Sequence, residues 1–472
     1  MIYIKISDMD FYDDAIIMIR SFYPRRDVMH LKDNTVITED DLVIEPSIPD
    51  KKEAGTKREI HDEFKKELYL KLEGMTGRKL PWGYMTGVRP SKNAYLMLEE
   101  GYTQEEVLKD FINTHFVDEK KAKLAIDVAQ TEKSILTEMD YKNGYSIYIG
   151  IPFCPTTCLY CSFTSYSVAA FKSKVDLYLK ALYKEMHFVS RAMADKRLDT
   201  IYFGGGTPTT LTAQQLDELL SELEKCFDVG NAIELTVEAG RPDSITADKL
   251  KVLKKHNVGR ISINPQTMNQ STLDIIGRRH TVKQVKDAFN MARECGFNNI
   301  NMDMILGLPG EDESMVENTL KQIKELAPES LTVHSLAIKR AAALNIWREK
   351  YAGIELKNSE EMVEMAEKYA RIMGMVPYYM YRQKNMTGNF ENVGYSHPGK
   401  ECIYNILIME ERQTIIAMGA GASSKIVFHN QVSNARGVRI ERVENVKDVV
   451  NYINRIDEMI ERKKIFFENN IF

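Results

Sequence analysis

The amino-acid sequence predicts an α/β protein built around an open (β/α)6 partial barrel, with an N-terminal α+β domain before it and an α+β and helical extension after it. Two patterns predict the barrel. Short apolar runs alternate with amphipathic helical segments from residue 145 to residue 336, which is the order of a parallel sheet with right-handed crossovers. In addition, a cysteine cluster and several polar residues directly follow these runs, at the strand ends where barrels carry their active sites.

Six runs are predicted to form the barrel strands. They are Tyr145–Gly150, Thr200–Gly204, Ala232–Glu238, Gly259–Asn264, Asn299–Leu306 and Ser330–Leu336. Three of the intervening helices begin at Thr212, Thr246 and Thr281. A threonine suits the N-cap because its hydroxyl accepts a hydrogen bond from a free backbone N–H of the first turn. We assign residues 141–340 to this core.

The flanking segments, residues 1–140 and 341–472, are predicted to form separate domains. The first has predicted helices at Asp10–Phe22, Lys57–Leu72, Ser91–Leu98 and Thr103–Leu136, the last broken near Thr114, and strands at Val28–Leu31 and Asp41–Glu45. The second has a helix at Ser359–Met373, a strand at Val376–Arg382, a glycine-rich region at residues 417–424 and a capping helix within Val443–Phe472. The first domain has no assigned role, and the second is expected to cover the substrate.

Composition narrows the class of protein. The chain has 472 residues, 44% of them hydrophobic, which is enough for a large core with smaller modules. Its Lys+Arg total of 63 and Asp+Glu total of 68 give a net charge of -5, so no overall positive field attracts nucleic acid. The N-terminal residues carry charges where a signal peptide needs an apolar run, and no stretch reaches the length of a membrane span. We therefore expect a cytoplasmic protein.

The motif Cys154-Pro-Thr-Thr-Cys158-Leu-Tyr-Cys161 follows the first predicted barrel strand. Three thiolates on one loop can hold three irons of a [4Fe-4S] cluster, and the fourth iron is then open to a small molecule. The alternatives are a zinc site, a disulfide with a spare thiol, or three structural cysteines. A structural zinc site needs a second pair of ligands, which the sequence lacks, and a cytosolic protein seldom keeps disulfides. The spacing therefore favours the cluster.

Polar residues end the later strands. The second strand ends in Gly204-Gly-Gly-Thr-Pro208, whose glycines allow the backbone to approach a ligand closely. Glu238 closes the third strand, Gln266 follows the fourth, Asp303 interrupts the fifth, and Arg278 lies in Ile276-Gly-Arg-Arg-His280. Each of these alone is expected to be a solvated or structural residue. Four of them at the ends of successive strand-helix units indicate a binding site, because a buried polar group without a partner is costly.

Together these motifs resemble the anaerobic coproporphyrinogen III oxidase group of the radical S-adenosylmethionine (SAM) proteins. The resemblance rests on Tyr148-Ile-Gly-Ile-Pro-Phe-Cys154, Gly204-Gly-Gly-Thr-Pro208, Gln266, Gly277-Arg278-Arg-His280 and Asp303-Met-Ile-Leu-Gly-Leu-Pro309. The Pro81-Trp-Gly loop, Tyr381-Arg-Gln-Lys-Asn385 and Gly419-Ala-Gly-Ala-Ser423 resemble its HemZ-type branch. By position, the resemblance implies Cys154, Cys158 and Cys161 as cluster ligands. It implies SAM contacts at Tyr148, Tyr160, Gly205, Gly206, Thr207, Glu238, Gln266, Arg278 and Asp303, with Tyr148 and Glu238 also as catalytic candidates.

The resemblance also implies a reaction, the oxidative decarboxylation of two propionates of coproporphyrinogen III to the vinyl groups of protoporphyrinogen IX in haem biosynthesis. The reduced cluster cleaves SAM to a 5'-deoxyadenosyl radical, which removes a hydrogen from the propionate β-carbon. The electron comes from a low-potential donor of the flavodoxin or ferredoxin type. Four substrate carboxylates need cations, and the local candidates are Arg241, Arg279, Lys339, Arg340, Arg382 and Lys384.

Two departures keep a second hypothesis open. The oxidases have a further cysteine two residues after the third, where this chain has Phe163, and a histidine where it has Gly150. Related branches of the family are haem chaperones and haem-modifying proteins. For a haem carrier, the candidate ligands are His334, His397 and the tyrosines of Tyr378-Tyr-Met-Tyr381. The loop with Trp82, Arg89 and Lys92 either covers the substrate or is fixed to the main body.

Overall fold

The computed structural model describes residues 1–24, 26–49, 56–87, 89–161, 165–337, 356–383, 390–434 and 437–470. The strands are β1 Ile2–Ile4, β2 Val28–His30, β3 Leu42–Ile44, β4 Gly144–Ile151, β5 Phe153–Cys154, β6 Tyr166–Ser167, β7 Arg197–Gly205, β8 Glu234–Glu238, β9 Arg260–Ser262, β10 Ile300–Leu306, β11 Ser330–Ser335, β12 Val376–Tyr381, β13 Asn392–Ser396, β14 Thr414–Met418, β15 Ser423–Asn434 and β16 Gly437–Glu444.

The α-helices, numbered in chain order, alternate with the strands through the centre of the chain. They are α1 Tyr12–Phe22, α2 Lys57–Thr76, α3 Pro90–Glu99, α4 Gln104–Asn113, α5 Glu119–Thr137, α6 Val175–Ala192, α7 Ala213–Cys226, α8 Ala247–Lys255, α9 Gln270–Ile275, α10 Val282–Glu294, α11 Glu313–Leu326, α12 Glu360–Ile372, α13 Ile403–Glu410, α14 Val449–Asn454 and α15 Ile456–Asn469.

The six predicted barrel strands lie side by side in chain order, as β4, β7, β8, β9, β10 and β11. All five neighbouring pairs are parallel, so the carboxyl ends of the six strands meet at one edge. The predicted fold class is therefore confirmed. The cysteine motif and the polar residues that follow the strands all lie at this edge.

The helices of the barrel begin where their caps predict. Thr212 and Thr281 each form a reciprocal capping box with the glutamine three residues later, and the Thr246 hydroxyl accepts a hydrogen bond from the Lys249 N–H. Helix α10 then buries Val285, Ala288, Phe289 and Ala292. This spacing gives a single apolar stripe, which packs against the sheet.

The sheet extends beyond the barrel on both sides, which the sequence did not predict. Strand β14 is parallel to β4 and leads into the antiparallel β15 and β16, while β13 and β12 follow β11. The prediction of one capping helix within residues 443–472 is wrong. Strand β16 reaches Glu444, and two helices follow, because the backbone of Arg455 leaves the helical region with ψ of 23°.

The N-terminal residues form a small parallel sheet, β2-β1-β3, with α1 and α2 packed together beside it. Its apolar core includes Ile2, Phe22, Phe64 and Leu72 and is separate from the main core. Helices α3, α4 and α5 instead contribute their apolar residues to the main core. The predicted break near Thr114 is confirmed, and the domain boundaries at residues 140 and 340 stay a prediction. No described helix is long and apolar enough to cross a membrane.

The loop before α3 is fixed to the main body. Trp82 is fully buried, and its indole Nε1 donates a hydrogen bond to Glu391 Oε2 at 2.8 Å. The Arg89 guanidinium pairs with Glu411 at 2.7 Å. Of the two interpretations of this loop, the structure supports fixation to the main body.

Candidate functional site

The cysteine loop leaves β4 and crosses the carboxyl edge of the sheet. Cys154 lies in β5, where its sulfur is 3.6 Å from the Thr207 hydroxyl of the glycine-rich turn. The Leu159 N–H donates to the Ile276 carbonyl at 3.0 Å, and the Thr156 hydroxyl donates to the Gly277 carbonyl at 3.1 Å. The loop is therefore held by the ends of two other barrel units.

The glycine-rich turn packs directly against this loop. Gly205 has a φ of +108°, which an L side chain rarely adopts. A Cβ at Gly206 would lie only 2.6 Å from the Phe153 carbonyl oxygen. The Thr207 N–H also donates to that carbonyl, at 2.7 Å. The glycines are thus required for the turn to lie against the chain that carries Cys154.

Glu238 lies at the end of β8 beside the turn. Its carboxylate accepts a hydrogen bond from the Tyr202 hydroxyl at 2.6 Å, and burial raises the pKa of Glu238 to about 7. The Tyr202 ring stacks on the rings of Tyr148, at 6.3 Å, and Tyr404, at 4.6 Å. These tyrosines form an aromatic wall inside the barrel. Glu238 can therefore exchange a proton near neutral pH at the mouth of the site.

Gln266, which follows β9, comes together with Asp303 in the middle of β10. Gln266 has a φ of +65°, and its N–H donates to the Asp303 carbonyl at 3.0 Å. Its buried Oε1 has no hydrogen-bond partner, and neither has Oδ1 of the nearby Asn264. The Asp303 carboxylate accepts a hydrogen bond from Asn301 at 2.6 Å and lies 3.7 Å from His334 Nε2. Strained backbone and orphaned oxygens at one place are typical of a ligand site.

Arg278 joins this group to the cysteine loop. Its side chain is buried, and Nε donates to the Tyr160 hydroxyl at 3.2 Å while Nη1 donates to the Asn264 carbonyl at 2.5 Å. Tyr160 lies next to Cys161 in the motif. The structure therefore brings together the three cysteines, the glycine turn and the residues at the later strand ends. Their individual roles stay predictions.

Comparison with known proteins places this site in a family. Residues 148–323 match the model of the radical SAM superfamily. The chain is 44% identical over 365 residues to the oxygen-independent coproporphyrinogen-III oxidase-like protein HemZ of Bacillus subtilis, which covers 76% of this chain and 73% of that protein. The chain belongs to the radical SAM superfamily. Within the superfamily, it is a member of the HemN/HemZ group.

Two further relatives broaden the radical SAM comparison. The haem chaperone HemW of Bacillus subtilis is 32% identical over 296 residues, covering 62% of this chain and 73% of that protein. The solved structure of coproporphyrinogen III oxidase (HemN) from Escherichia coli matches with a TM-score of 0.53 and 23% identity, over 67% of this chain and 70% of that chain. At this identity, the structural match shows the fold.

A [4Fe-4S] cluster and SAM are the cofactors of radical SAM proteins, and the residues present fit both. Among the described residues, one group of three could hold a single metal ion, because its ligand atoms all lie within 4.8 Å of one another. It consists of His187 on α6 and Glu222 and Cys226 on α7. The three motif cysteines are free thiols outside this group, and three thiolates on one loop are the set that leaves one iron of a [4Fe-4S] cluster open to SAM. Burial raises the pKa of the Cys154 thiol to about 11, so metal binding must displace its proton.

Two predicted substrate cations have other partners. Arg241 is buried and contacts the cysteine loop. Arg382 is also buried. Its Nη1 donates a hydrogen bond to the Met85 carbonyl at 2.6 Å, and its guanidinium lies 5.7 Å from the centre of the Trp82 ring. Neither is therefore exposed for a propionate. Arg279 is exposed near the motif. Lys339, Arg340 and Lys384 lie outside the described residues.

The candidate haem ligands do not form one site. His334 lies at the carboxyl edge, between Asp303 and the Tyr381 hydroxyl at 3.5 Å. His397 follows β13, whose Ser396 pairs with Ser330 at the start of β11. It therefore lies at the opposite edge of the sheet. Tyr378 and Tyr379 are buried.

Sequence reasoning missed Tyr202, Tyr404 and the contacts of Arg241 with the cysteine loop. Tyr202 is two residues before Gly204 on β7, and side chains two apart on a strand share a face. Its position on the inward face was therefore available from the sequence. Tyr404 comes from α13, more than 200 positions away, and no local pattern connects it to the barrel.

Proposed function

We propose that this protein catalyses the oxygen-independent oxidative decarboxylation of coproporphyrinogen III to protoporphyrinogen IX in haem biosynthesis. The observation that carries the proposal is the 44% identity to the oxidase-like HemZ, which spans the barrel and its site. The coarser assignment, a radical SAM protein of the HemN/HemZ group, does not depend on this substrate. The proposal adds to that assignment that the substrate is a porphyrinogen.

Each part of the site has a role in this proposal. Cys154, Cys158 and Cys161 hold the cluster, and the turn of Gly205, Gly206 and Thr207 receives the methionine end of SAM. When bound, the two cofactors supply a radical that abstracts hydrogen. Glu238, Gln266, Arg278 and Asp303 orient SAM through charge and hydrogen bonds, and Tyr148 and Tyr160 pack beside it. The orphaned Oε1 of Gln266 supports this placement, since a bound ligand would satisfy it.

Glu238 has a second proposed role, the handling of a proton. Its pKa of about 7 lets it hold or release one near neutral pH, and the Tyr202 hydroxyl fixes the orientation of its carboxylate. Tyr148 lies next to it, with its hydroxyl 3.4 Å from the position that a Cβ at Gly205 would take. The pair lies beside the glycine-rich turn that is proposed to receive SAM.

The proposed partners follow from this chemistry. A porphyrinogen with four carboxylates needs cations at the carboxyl edge, and Arg279 is the exposed candidate among the described residues. The cluster requires a low-potential one-electron donor of the flavodoxin or ferredoxin type. We propose a cytoplasmic location, because a reducing compartment protects the cluster, and we propose no nucleic-acid partner.

The test is an anaerobic assay. The cluster is reconstituted, SAM, a reductant and coproporphyrinogen III are added, and the porphyrin products are measured by mass spectrometry. We expect the loss of two carboxyl groups, coupled to the formation of 5'-deoxyadenosine, and neither product from a Cys158→Ser control. Cleavage of SAM with the porphyrinogen unchanged would refute the proposed substrate and leave the radical SAM assignment in place.

The second candidate is a haem-binding chaperone or haem-modifying protein. It is favoured by the 32% identity to HemW and by the phenylalanine at position 163, where the oxidases carry a further cysteine. Haem added to the reconstituted protein tests it, with His334→Ala and His397→Ala as paired variants. Because the two histidines lie at opposite edges of the sheet, a ligand role at the site predicts loss of haem from the His334 variant alone.

A further inference from the structure

Arg241 is a buried cation at the cysteine loop, and no role in the proposed reaction has been given to it. It follows β8 by three residues, and its side chain is 3% exposed. Nη1 donates to the Thr156 carbonyl at 3.2 Å, to the Thr156 hydroxyl at 3.1 Å and to the Cys158 sulfur at 3.6 Å. A single nitrogen thus contacts the loop backbone and a cluster ligand.

Asp243 fixes the other side of the guanidinium. Its two carboxylate oxygens accept hydrogen bonds from Nε at 2.9 Å and from Nη2 at 2.8 Å. The backbone of Arg241 is held as well, since the Ser244 hydroxyl donates to its carbonyl at 2.7 Å. The Asp243 side chain is 18% exposed, so the ion pair has its positive end at Cys158 and its negative end toward solvent.

We infer that Arg241 is a positioning residue that sets the reduction potential of the cluster. A hydrogen bond and a positive charge at a ligand sulfur stabilise the reduced cluster, which carries one more negative charge than the oxidised one. Both effects make reduction easier for a weak donor. The buried setting strengthens them, because water does not screen this contact.

The orientation of the ion pair predicts two opposite shifts. Arg241→Gln removes the cation, so the cluster should become harder to reduce and its midpoint potential more negative. Asp243→Asn removes the anion that offsets the cation, while its amide oxygen can still accept a hydrogen bond from the guanidinium. The midpoint potential of this variant should become less negative. Arg241→Lys keeps the charge and loses the fixed fork, so its potential should lie between those of Arg241→Gln and the wild type.

The experiment uses the full chain with its reconstituted cluster and no porphyrinogen. Electron paramagnetic resonance during a redox titration gives the midpoint potential, and iron analysis gives the cluster content. Arg191→Gln is the matched control, since Arg191 is an exposed arginine in the last turn of α6, away from the cysteine loop, and should leave the potential unchanged. Because the substrate is absent, failure of this inference and failure of the proposed function are distinguishable.

Two outcomes would overturn the inference. One is a wild-type potential in Arg241→Gln at full iron content. The other is a shift of the same sign in Arg241→Gln and Asp243→Asn, which would indicate general distortion of the loop. If Arg241→Gln does not retain iron, the potentials of Asp243→Asn and Arg241→Lys test the inference instead. Opposite shifts in these two support the role, and equal or absent shifts refute it.

Discussion

Two buried polar regions of the molecule differ in whether their side-chain oxygens have hydrogen-bond donors. The Glu185 cluster, formed by Glu185, Asn445, Tyr452 and Lys463, is buried between α6, the end of β16 and the two C-terminal helices. The Glu185 carboxylate accepts hydrogen bonds from Lys463 at 2.7 Å, Asn445 at 2.8 Å and the Gly419 N–H at 2.9 Å, and also from the Tyr452 hydroxyl. Every lone pair of this carboxylate therefore has a donor within the protein.

The strand-end group, formed by Glu238, Asn264, Gln266 and Arg278, lies at the carboxyl edge. Here the side-chain oxygens of Asn264 and Gln266 have no partner, and Gln266 has a left-handed backbone. An unpaired buried oxygen costs stability, and here two of them lie beside a left-handed backbone at the carboxyl edge, a combination typical of a ligand site. The Glu185 cluster thus joins the C-terminal helix to the barrel, whereas the strand-end group is the one proposed to receive a ligand.

Loss of a proposed cluster ligand should have the largest effect at the carboxyl edge. In Cys158→Ser, we expect iron content after reconstitution to fall to near zero and SAM cleavage to be abolished, because the buried serine cannot replace the thiolate. Iron analysis and 5'-deoxyadenosine formation measure this. Cys295→Ser, which changes a cysteine at the end of α10, should behave as wild type. Iron loss in both variants would contradict a specific role for the motif.

Removing the charge of Glu185 should affect the fold and spare the site. Glu185→Gln leaves Lys463 buried without its anion, and breaking such a pair costs about 3–5 kcal/mol. Denaturant unfolding of the cluster-free protein should show this loss. In the fraction that stays folded, SAM affinity should equal that of wild type. A loss of SAM affinity without a loss of stability would reverse the assignment of the two regions.

Most residues of the site could be predicted from the sequence, whereas the contacts of the Glu185 cluster could not, for a physical reason. The barrel strands, the threonine caps and the strand-end residues are local patterns, and parallel strands bring their carboxyl ends together whatever lies between them. Glu185 and Lys463 are 278 positions apart, and only tertiary packing brings them into contact. Strand β14 is buried at all five positions, so it lacks the alternation that marks a half-exposed strand.

Arg241 shows the same limit at the site itself. Its position in the sequence made it a candidate to bind a substrate carboxylate, and its positive charge fits that role as well as it fits the contact with Cys158. The contacts with Thr156 and Cys158 depend on how the loop after β8 folds over the cysteine loop, 83 to 85 positions away. A local pattern identifies a cation near a site, whereas its partner is fixed by packing.

Glu238 should make SAM binding depend on pH. The pKa of Glu238, raised to about 7 by burial, means that its carboxylate is mostly neutral at pH 6 and mostly charged at pH 8. If it contacts the SAM amino group, affinity should be roughly tenfold weaker at pH 6 than at pH 8. Isothermal titration of the reconstituted protein measures this, and Glu238→Gln should be weak at both values. An unchanged pH dependence in that variant would exclude Glu238 as its source.

The same group predicts the opposite trend for stability. Folded Glu238 holds its proton to a higher pH than the unfolded chain, whose ordinary value is 4.5. The cofactor-free protein should therefore lose stability from this group as pH rises from about 4.5 through about 7. Glu238→Gln should remove that part of the decline. Denaturant midpoints at several pH values compare the two proteins.

Gln266→Gly should have the smallest effect on the fold while still weakening the site. The substitution removes an orphaned amide oxygen and relieves a φ of +65°, a strain worth about 1 kcal/mol, so the free energy of unfolding should stay within about 1 kcal/mol of wild type. SAM affinity should fall several-fold, because a hydrogen bond to the ligand is lost. Asn445→Ala is the matched comparison in the Glu185 cluster. It leaves buried partners without a bond, so stability should fall while SAM affinity holds. If both substitutions moved stability alone, the orphaned oxygen at the strand end would be a tolerated defect of packing, and the contrast between the two regions would no longer separate structure from function.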